Sequence, residues 1–150
     1  PKQGNPYFSH GFTYSGHALA CATGLKNIEI LERDGFCAHV ANTGPYFEAK
    51  LKTLEQHAIV GEVRGSHYML CLELVVDKVA KTPFADEVAI AKRVYYHCKQ
   101  RGLIVRPIGP LVVLSPPLTY DHDAIHQTVD ILDQSIRAVM DDLVAERLWQ

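Results

Sequence analysis

Along the 150-residue chain the apolar positions change period several times, and each change marks a predicted element. From Ser15 or Gly16 the run HALACATGLKNIEILERDG places Leu19, Ala22, Leu25, Ile28 and Leu31 near helical spacing, and Asp34-Gly35 ends it. Gly24 inside this helix costs about 1 kcal/mol against alanine, which predicts a close packing partner there. A second helical stretch, 36–56, puts Phe47, Leu51 and Leu54 on its inner side. Gly44-Pro45 within it predicts a kink or a restart, because proline removes a backbone donor and suits a first helical turn.

The period then shortens. VGEVRG (60–65) and HYMLCLELVVD (67–77) are rich in β-branched and aromatic residues and read as strands, with Gly65-Ser66 as a hairpin-like junction. Lys81-Thr82-Pro83 breaks the pattern. Residues 85–102 return to helical spacing, with Val88, Ala91, Val94, Tyr95 and Cys98 on one face and Gly102 as the stop. LIVRPIG and LVVLSPP are two further short strands joined at Gly109-Pro110. A long amphipathic helix follows from about Asp121, its stripe formed by Ile125, Val129, Leu132, Ile136, Met140 and Leu143. With residues 1–14 as a Gly/Pro/aromatic-rich arm or loop, this order predicts an α+β domain. Its expected architecture is a small antiparallel or mixed sheet packed with helices on one face.

Composition narrows the function classes. Apolar residues make up 47% and charged residues 21%, as in an ordinary globular domain. A net charge of −2 offers no basic excess for nucleic-acid phosphates or anionic lipid, so neither partner is expected. No apolar run approaches the roughly 18 residues of a spanning helix. The start, PKQGNPYFSH, has no initiator Met and no signal-peptide core, and reads as a chain that begins inside a longer one. Four cysteines at wide intervals, without a CxxC pair, point to reduced and mostly buried thiols in a cytoplasmic protein.

Candidate chemistry concentrates in HGFTYSGHALACA, residues 10–22, where hydroxyls, imidazoles and glycines precede a helix. Two readings are open: a Thr or Ser helix cap, or a phosphate site built from a hydroxyl and backbone N–H groups in a Gly-flanked loop. His17 and Cys21 are four apart, a chelating spacing with His10 as a third ligand, but capping and packing account for them and no metal is expected. Lys26, Lys92 and Lys99 fall on polar helix faces, not in the buried, Gly-flanked setting of a Schiff-base nucleophile. Arg64, before Gly65, reads as a contact to an interface or a carboxylate or, with more weight, as a structural salt bridge. Arg106, in LIVRPIG, reads by itself as a strand-end arginine in a surface ion pair.

The segment FSHGFTYSGHALACATGLKNIEILE resembles the F-x-H-G-x-T-Y-x-G-H-P-x-A-C-A-x-x-L-x-x-I-x-I-x-E segment of class III, pyridoxal-phosphate-dependent aminotransferases, the ω-amino-acid:pyruvate group. GEVRG at 61–65, LELV, KTPF, GLIVRPIG and LVVLSPPL continue the resemblance in the same order over essentially the whole chain. It implies the C-terminal portion of a fold type I enzyme. Residues 1–16 would be an arm from the end of the large cofactor domain, and 17–150 the small domain with its connecting helix. It further implies pyridoxal 5'-phosphate as cofactor, a homodimer or higher homo-oligomer, and transfer of an amino group between a small amine or ω-amino acid and a keto acid such as pyruvate. Thr13, with the main chain of Phe12 beside it, would bind the cofactor phosphate of the partner subunit. Arg106 would bind the substrate carboxylate, for which a planar, permanently charged fork is suited. The covalent residues, including the Schiff-base lysine, would lie upstream, so no catalytic residue is expected in this chain. Two departures stand out: Ala18 replaces a usual proline, and Pro107 follows Arg106 where a small residue is common. A non-catalytic α+β domain serving dimerisation or structural support is the alternative.

Overall fold

In a computed structural model, residues 10–149 are described. The helices are α1 (Ala18–Arg33), α2 (Phe36–Lys52), α3 (Ile90–Gln100) and α4 (His122–Ala145). The strands are β1 (Val60–Ser66), β2 (Met69–Asp77), β3 (Thr82–Pro83), β4 (Arg106–Ile108) and β5 (Leu111–Leu114). The main sheet has the order β1-β2-β5-β4 and every pairing is antiparallel, with β3 added along the end of β2. The α+β expectation is met in its antiparallel form.

Strand alternation sets the two faces. Leu70, Leu72 and Leu74 of β2 and Val112 and Leu114 of β5 point inward and are buried, while Met69, Cys71 and Glu73 point to the other face. On β1 the buried pair Val60 and Val63 is three apart because a bulge between Val60 and Glu62 shifts the register. Helices α2, α3 and α4 cover the inner face with Phe47 and Leu51, with Ile90, Val94 and Cys98, and with Ile125, Leu132, Ile136 and Leu143. Each such leucine or isoleucine contributes roughly 1.5–3 kcal/mol by leaving water. Helix α4 is started by Asp121, whose side chain accepts from the Ala124 N–H at 2.8 Å. Its predicted stripe is buried except for Met140, which is half-buried.

Four local expectations are corrected. Helix α2 runs unbroken through Pro45, without a restart. Proline forfeits one main-chain bond there, and burial of Phe47 and Leu51 outweighs it. Gly44 is needed for closeness: a Cβ would stand 2.5 Å from the His67 ring. The β1–β2 turn is His67-Tyr68, since Ser66 pairs with Met69; His67 takes the positive φ of 52°. Gly65 lies within β1, where a Cβ would come 2.0 Å from the Met69 carbonyl oxygen. Helix α3 begins at Ile90, after a short 3-10 turn, Asp86–Val88, because Ala89 adopts a left-handed conformation that interrupts the helix. Of the cysteines, Cys98 is buried and Cys71 half-buried, but Cys21 and Cys37 are exposed, against the expectation of mostly buried thiols.

One polar cluster lies at the edge of the core, with His57 buried, Asp133 half-buried and Arg137 exposed. The His57 ring pairs with Asp133 of α4 at 2.7 Å, and Arg137 donates to the same carboxylate at 2.8 Å. The Arg137 hydrogen bond, and after it that of His57, holds the Asp133 carboxyl below its ordinary range against the opposing effect of burial.

The chain divides into two compact units, the first ending at Gly35 and the second beginning at Phe36. Helix α1 forms where predicted, yet none of its residues is buried. Gly24 meets no atom within 4 Å of a notional Cβ, so the close partner predicted from its presence is not found among the described residues. No helix among the described residues is long and apolar enough to cross a membrane.

Candidate functional site

In the first unit, Phe12 and Thr13 open a tight turn ahead of α1. The Ser15 N–H donates to the Phe12 carbonyl at 3.0 Å, the Phe12 N–H donates to the Ser15 hydroxyl, and Gly16 takes a φ of 79°. The helix cap is His17, whose Nδ1 accepts from the Ala20 N–H at 3.3 Å; neither Thr13 nor Ser15 caps the helix. Imidazole is an uncommon cap, and the expected Thr or Ser hydroxyl is displaced because the Gly16 turn starts the helix later. The Thr13 hydroxyl is exposed and makes no hydrogen bond among the described residues. Among those residues no three His, Cys, Asp or Glu side chains converge as metal ligands.

In the second unit, Arg106 is the first residue of β4, opposite Val113 of β5. The β4–β5 turn is Gly109-Pro110, as the sequence predicts, with Gly109 at a φ of 55°. The Arg106 side chain is exposed and forms no hydrogen bond or ion pair among the described residues, so the surface ion pair expected of a strand-end arginine is not formed there. It borders a hollow of about 450 Å³ that is otherwise largely apolar, walled by Met69, Ile104, Val113, Pro117 and Tyr120. An unpaired guanidinium beside apolar walls can take a planar anion in two parallel hydrogen bonds.

The far wall of the hollow is held by a network that sequence reading missed. The Tyr68 hydroxyl donates to the Tyr120 carbonyl at 2.6 Å, His39 Nε2 lies 2.7 Å from the same oxygen, and the Tyr68 and Thr43 hydroxyls are 2.6 Å apart. The Tyr120 hydroxyl in turn bonds Thr128 of α4. His39 and Thr43 lie one turn apart on α2, but no spacing along the chain ties them to Tyr68 and Tyr120; only the folded chain gathers them. Arg64 forms the salt bridge its position suggested, to Glu73 and, at 3.3 Å, to Glu62.

Residues 2–136 match the family model described as aminotransferase class-III. The chain belongs to the class III aminotransferase family. The diaminobutyrate–2-oxoglutarate transaminase of Halomonas elongata is 37% identical over 140 residues, 91% of this chain and 30% of that protein. The putrescine–pyruvate aminotransferase of Pseudomonas aeruginosa is 38% identical over 144 residues, 93% of this chain and 31% of its own length. Among solved structures, an omega-transferase from Vibrio fluvialis superimposes with a TM-score of 0.85 at 37% identity, covering 92% of this chain and 33% of that one. This class III aminotransferase chain therefore spans about 30% of the curated relatives it matches. Solved V. fluvialis aminotransferases include PMP-bound and PLP-bound forms, which makes pyridoxal phosphate the cofactor of the family.

Proposed function

We propose that this chain supplies two anchoring contacts of a class III aminotransferase that moves an amino group between a small amine or ω-amino acid and a keto acid such as pyruvate. Phe12 and Thr13 hold the phosphate of pyridoxal 5'-phosphate across a homodimer interface, and Arg106 holds the keto-acid carboxylate. On this reading residues 1–16 are an arm from the cofactor domain and 17–150 form the small domain. The observation that carries the reading is Arg106, exposed at the rim of a largely apolar hollow without an ion pair among the described residues. A structural arginine has a fixed partner; a ligand-binding one is left available.

The residues of the arm suit the cofactor phosphate. Thr13 has a hydroxyl unused by capping, in a turn that precedes a helix N-terminus, where negative charge is favoured. The Phe12 N–H is engaged by Ser15, a hydroxyl it exchanges for a phosphate oxygen. When bound, the cofactor supplies the electron sink for amino transfer. This chain fixes the phosphate end, orients the acceptor carboxylate, and through Met69, Val113 and Tyr120 keeps water from one side of it. An amine without a carboxylate requires Arg106 to turn aside. Pro107, with its fixed φ, stiffens the backbone from which that movement starts.

Single-turnover measurements of each half-reaction on the full-length enzyme test the proposal. Arg106→Ala is expected to weaken the keto-acid half-reaction by about 10- to 150-fold, the value of a charge-assisted contact of about 1.5–3 kcal/mol. The half-reaction of a carboxylate-free amine is nearly spared. Thr13→Ala instead lowers cofactor retention for both alike. Equal slowing of both half-reactions by Arg106→Ala, with the fold intact, makes Arg106 a structural residue. The 150 residues alone are expected to show no pyridoxal-phosphate-dependent turnover, since the covalent chemistry belongs to residues outside them.

A second reading, a non-catalytic domain for dimerisation or support, draws on the exposed Leu19, Leu25 and Ile28 of α1. A lysine in a Gly-rich segment encoded upstream separates the two in favour of the enzyme.

A further inference from the structure

The outer face of the sheet carries Arg106, Val113, Cys71 and Arg64 as one cross-strand row through β4, β5, β2 and β1. The next row holds Ile108, Leu111, Glu73 and Glu62. Glu73 is thus the carboxylate nearest to Arg106 in the strand register, two strands away and one row along. Strand spacing and rise put their Cα atoms roughly 12 Å apart, a gap that extended Arg and Glu side chains bridge together. Arg106 has no ion pair among the described residues, and Glu73 is already held by Arg64.

We propose that Arg64 is a positioning residue for the keto-acid contact: by holding Glu73, it stops that carboxylate from drawing Arg106 along the sheet and away from the substrate. The inference rests on the reading of Arg106 as the carboxylate ligand. Without Arg64, Glu73 becomes an intramolecular competitor present at high local concentration, and the substrate carboxylate must displace it. A merely structural task for Arg64 also exists, because Glu62 and Glu73 face each other directly and their like charges repel. That task affects stability, not the choice between substrates, so the two roles are separable.

The experiment compares Arg64→Gln, Glu73→Gln, the double variant and Arg106→Ala in the full-length enzyme, with pyruvate as acceptor and a primary amine lacking a carboxylate as donor. Arg64→Gln is expected to raise the KM for pyruvate about three- to tenfold, with kcat and the amine half-reaction unchanged. Glu73→Gln alone does not raise it, and the double variant returns it to within about twofold of wild type. An unchanged pyruvate KM in Arg64→Gln, or a raised KM that persists in the double variant, overturns the proposal while leaving the Arg106 reading in place. If Arg106→Ala itself leaves the pyruvate KM unchanged, the Arg106 reading falls and this proposal falls with it. Should Arg64→Gln not fold, Arg64→Lys keeps the charge but loses the planar fork. It is expected to give the same selective rise at smaller size, and an equal effect on both half-reactions overturns the proposal.

Discussion

Helices α1 and α2 are nearly equal in length, at 16 and 17 residues, and each carries a glycine near its middle. They differ in what surrounds them. Gly24 of α1 faces open space, and Leu25 beside it is exposed. Gly44 of α2 lies against His67, and Phe47 one turn on is fully buried. Sequence period is enough to make both helical. Only α2 draws stability from a packed face, which in short helices outweighs propensity. The same residue type, glycine, therefore has opposite meaning in the two settings.

The largest expected difference lies in paired leucine truncations. In the 150-residue chain, Leu72→Ala, in the middle of β2, should cost about 2–5 kcal/mol in chemical denaturation, the loss of transfer energy plus a cavity. Leu25→Ala in α1 should stay within about 0.5 kcal/mol. A Leu25 cost approaching that of Leu72 breaks the comparison and means that α1 is covered in solution.

A smaller effect, of opposite sign in the two helices, is expected at the glycines. Gly24→Ala should stabilise α1 by up to about 1 kcal/mol, visible as increased helicity by circular dichroism. Gly44→Ala gains the same propensity but forces the His67 ring and its Cβ to move, for a net loss of about 1–3 kcal/mol in the melting of the second unit. Stabilisation at both sites refutes the close approach to His67.

The smallest effect concerns pH. Asp133, beside Arg137 and His57, and Asp34, beside Arg33, both have carboxyl groups held below their ordinary range. A carboxyl lowered in the folded state binds its proton less readily there than in the unfolded chain. Its contribution is present above about pH 4, the unfolded Asp range, and is lost as pH falls through the lower folded value. Asp133→Asn should therefore flatten the acid limb of stability against pH. The Asp34 pair is exposed, and Asp34→Asn should leave that limb unchanged, since solvent and salt screen it. Equal flattening by both substitutions removes the distinction between the two regions.

The order and type of the main elements were legible in the sequence because burial on one side imposes a period, and the stripe of α4 and the inner residues of β2 follow it. Errors fell where the backbone depends on a distant neighbour. Gly44-Pro45 reads as a kink or a restart, yet α2 continues without restarting because Phe47 and Leu51 are anchored in the core. Gly65-Ser66 reads as a turn, but Gly65 is required inside β1 by the approach of Met69, and the turn moves to His67-Tyr68. Of the candidate site, Thr13 and Arg106 were visible as residue types in motifs that the family resemblance made legible. The network of Tyr68, His39 and Thr43 that secures Tyr120 was not, since no spacing along the chain ties the α2 pair to Tyr68 or Tyr120.

The sequence by itself determined an α+β domain, the inner faces of α2 and α4, and membership of the class III aminotransferase family, because hydrophobic period and motif order are local properties of the chain. Tertiary structure decided that His17 and not Thr13 caps α1, that Arg106 has no ion pair among the described residues, and that Arg64 holds Glu73 on the same sheet face. Those outcomes depend on which side chains meet across strands and turns. A hydrogen bond or ion pair is settled by distances of a few ångströms between residues far apart in sequence, and no local pattern encodes them.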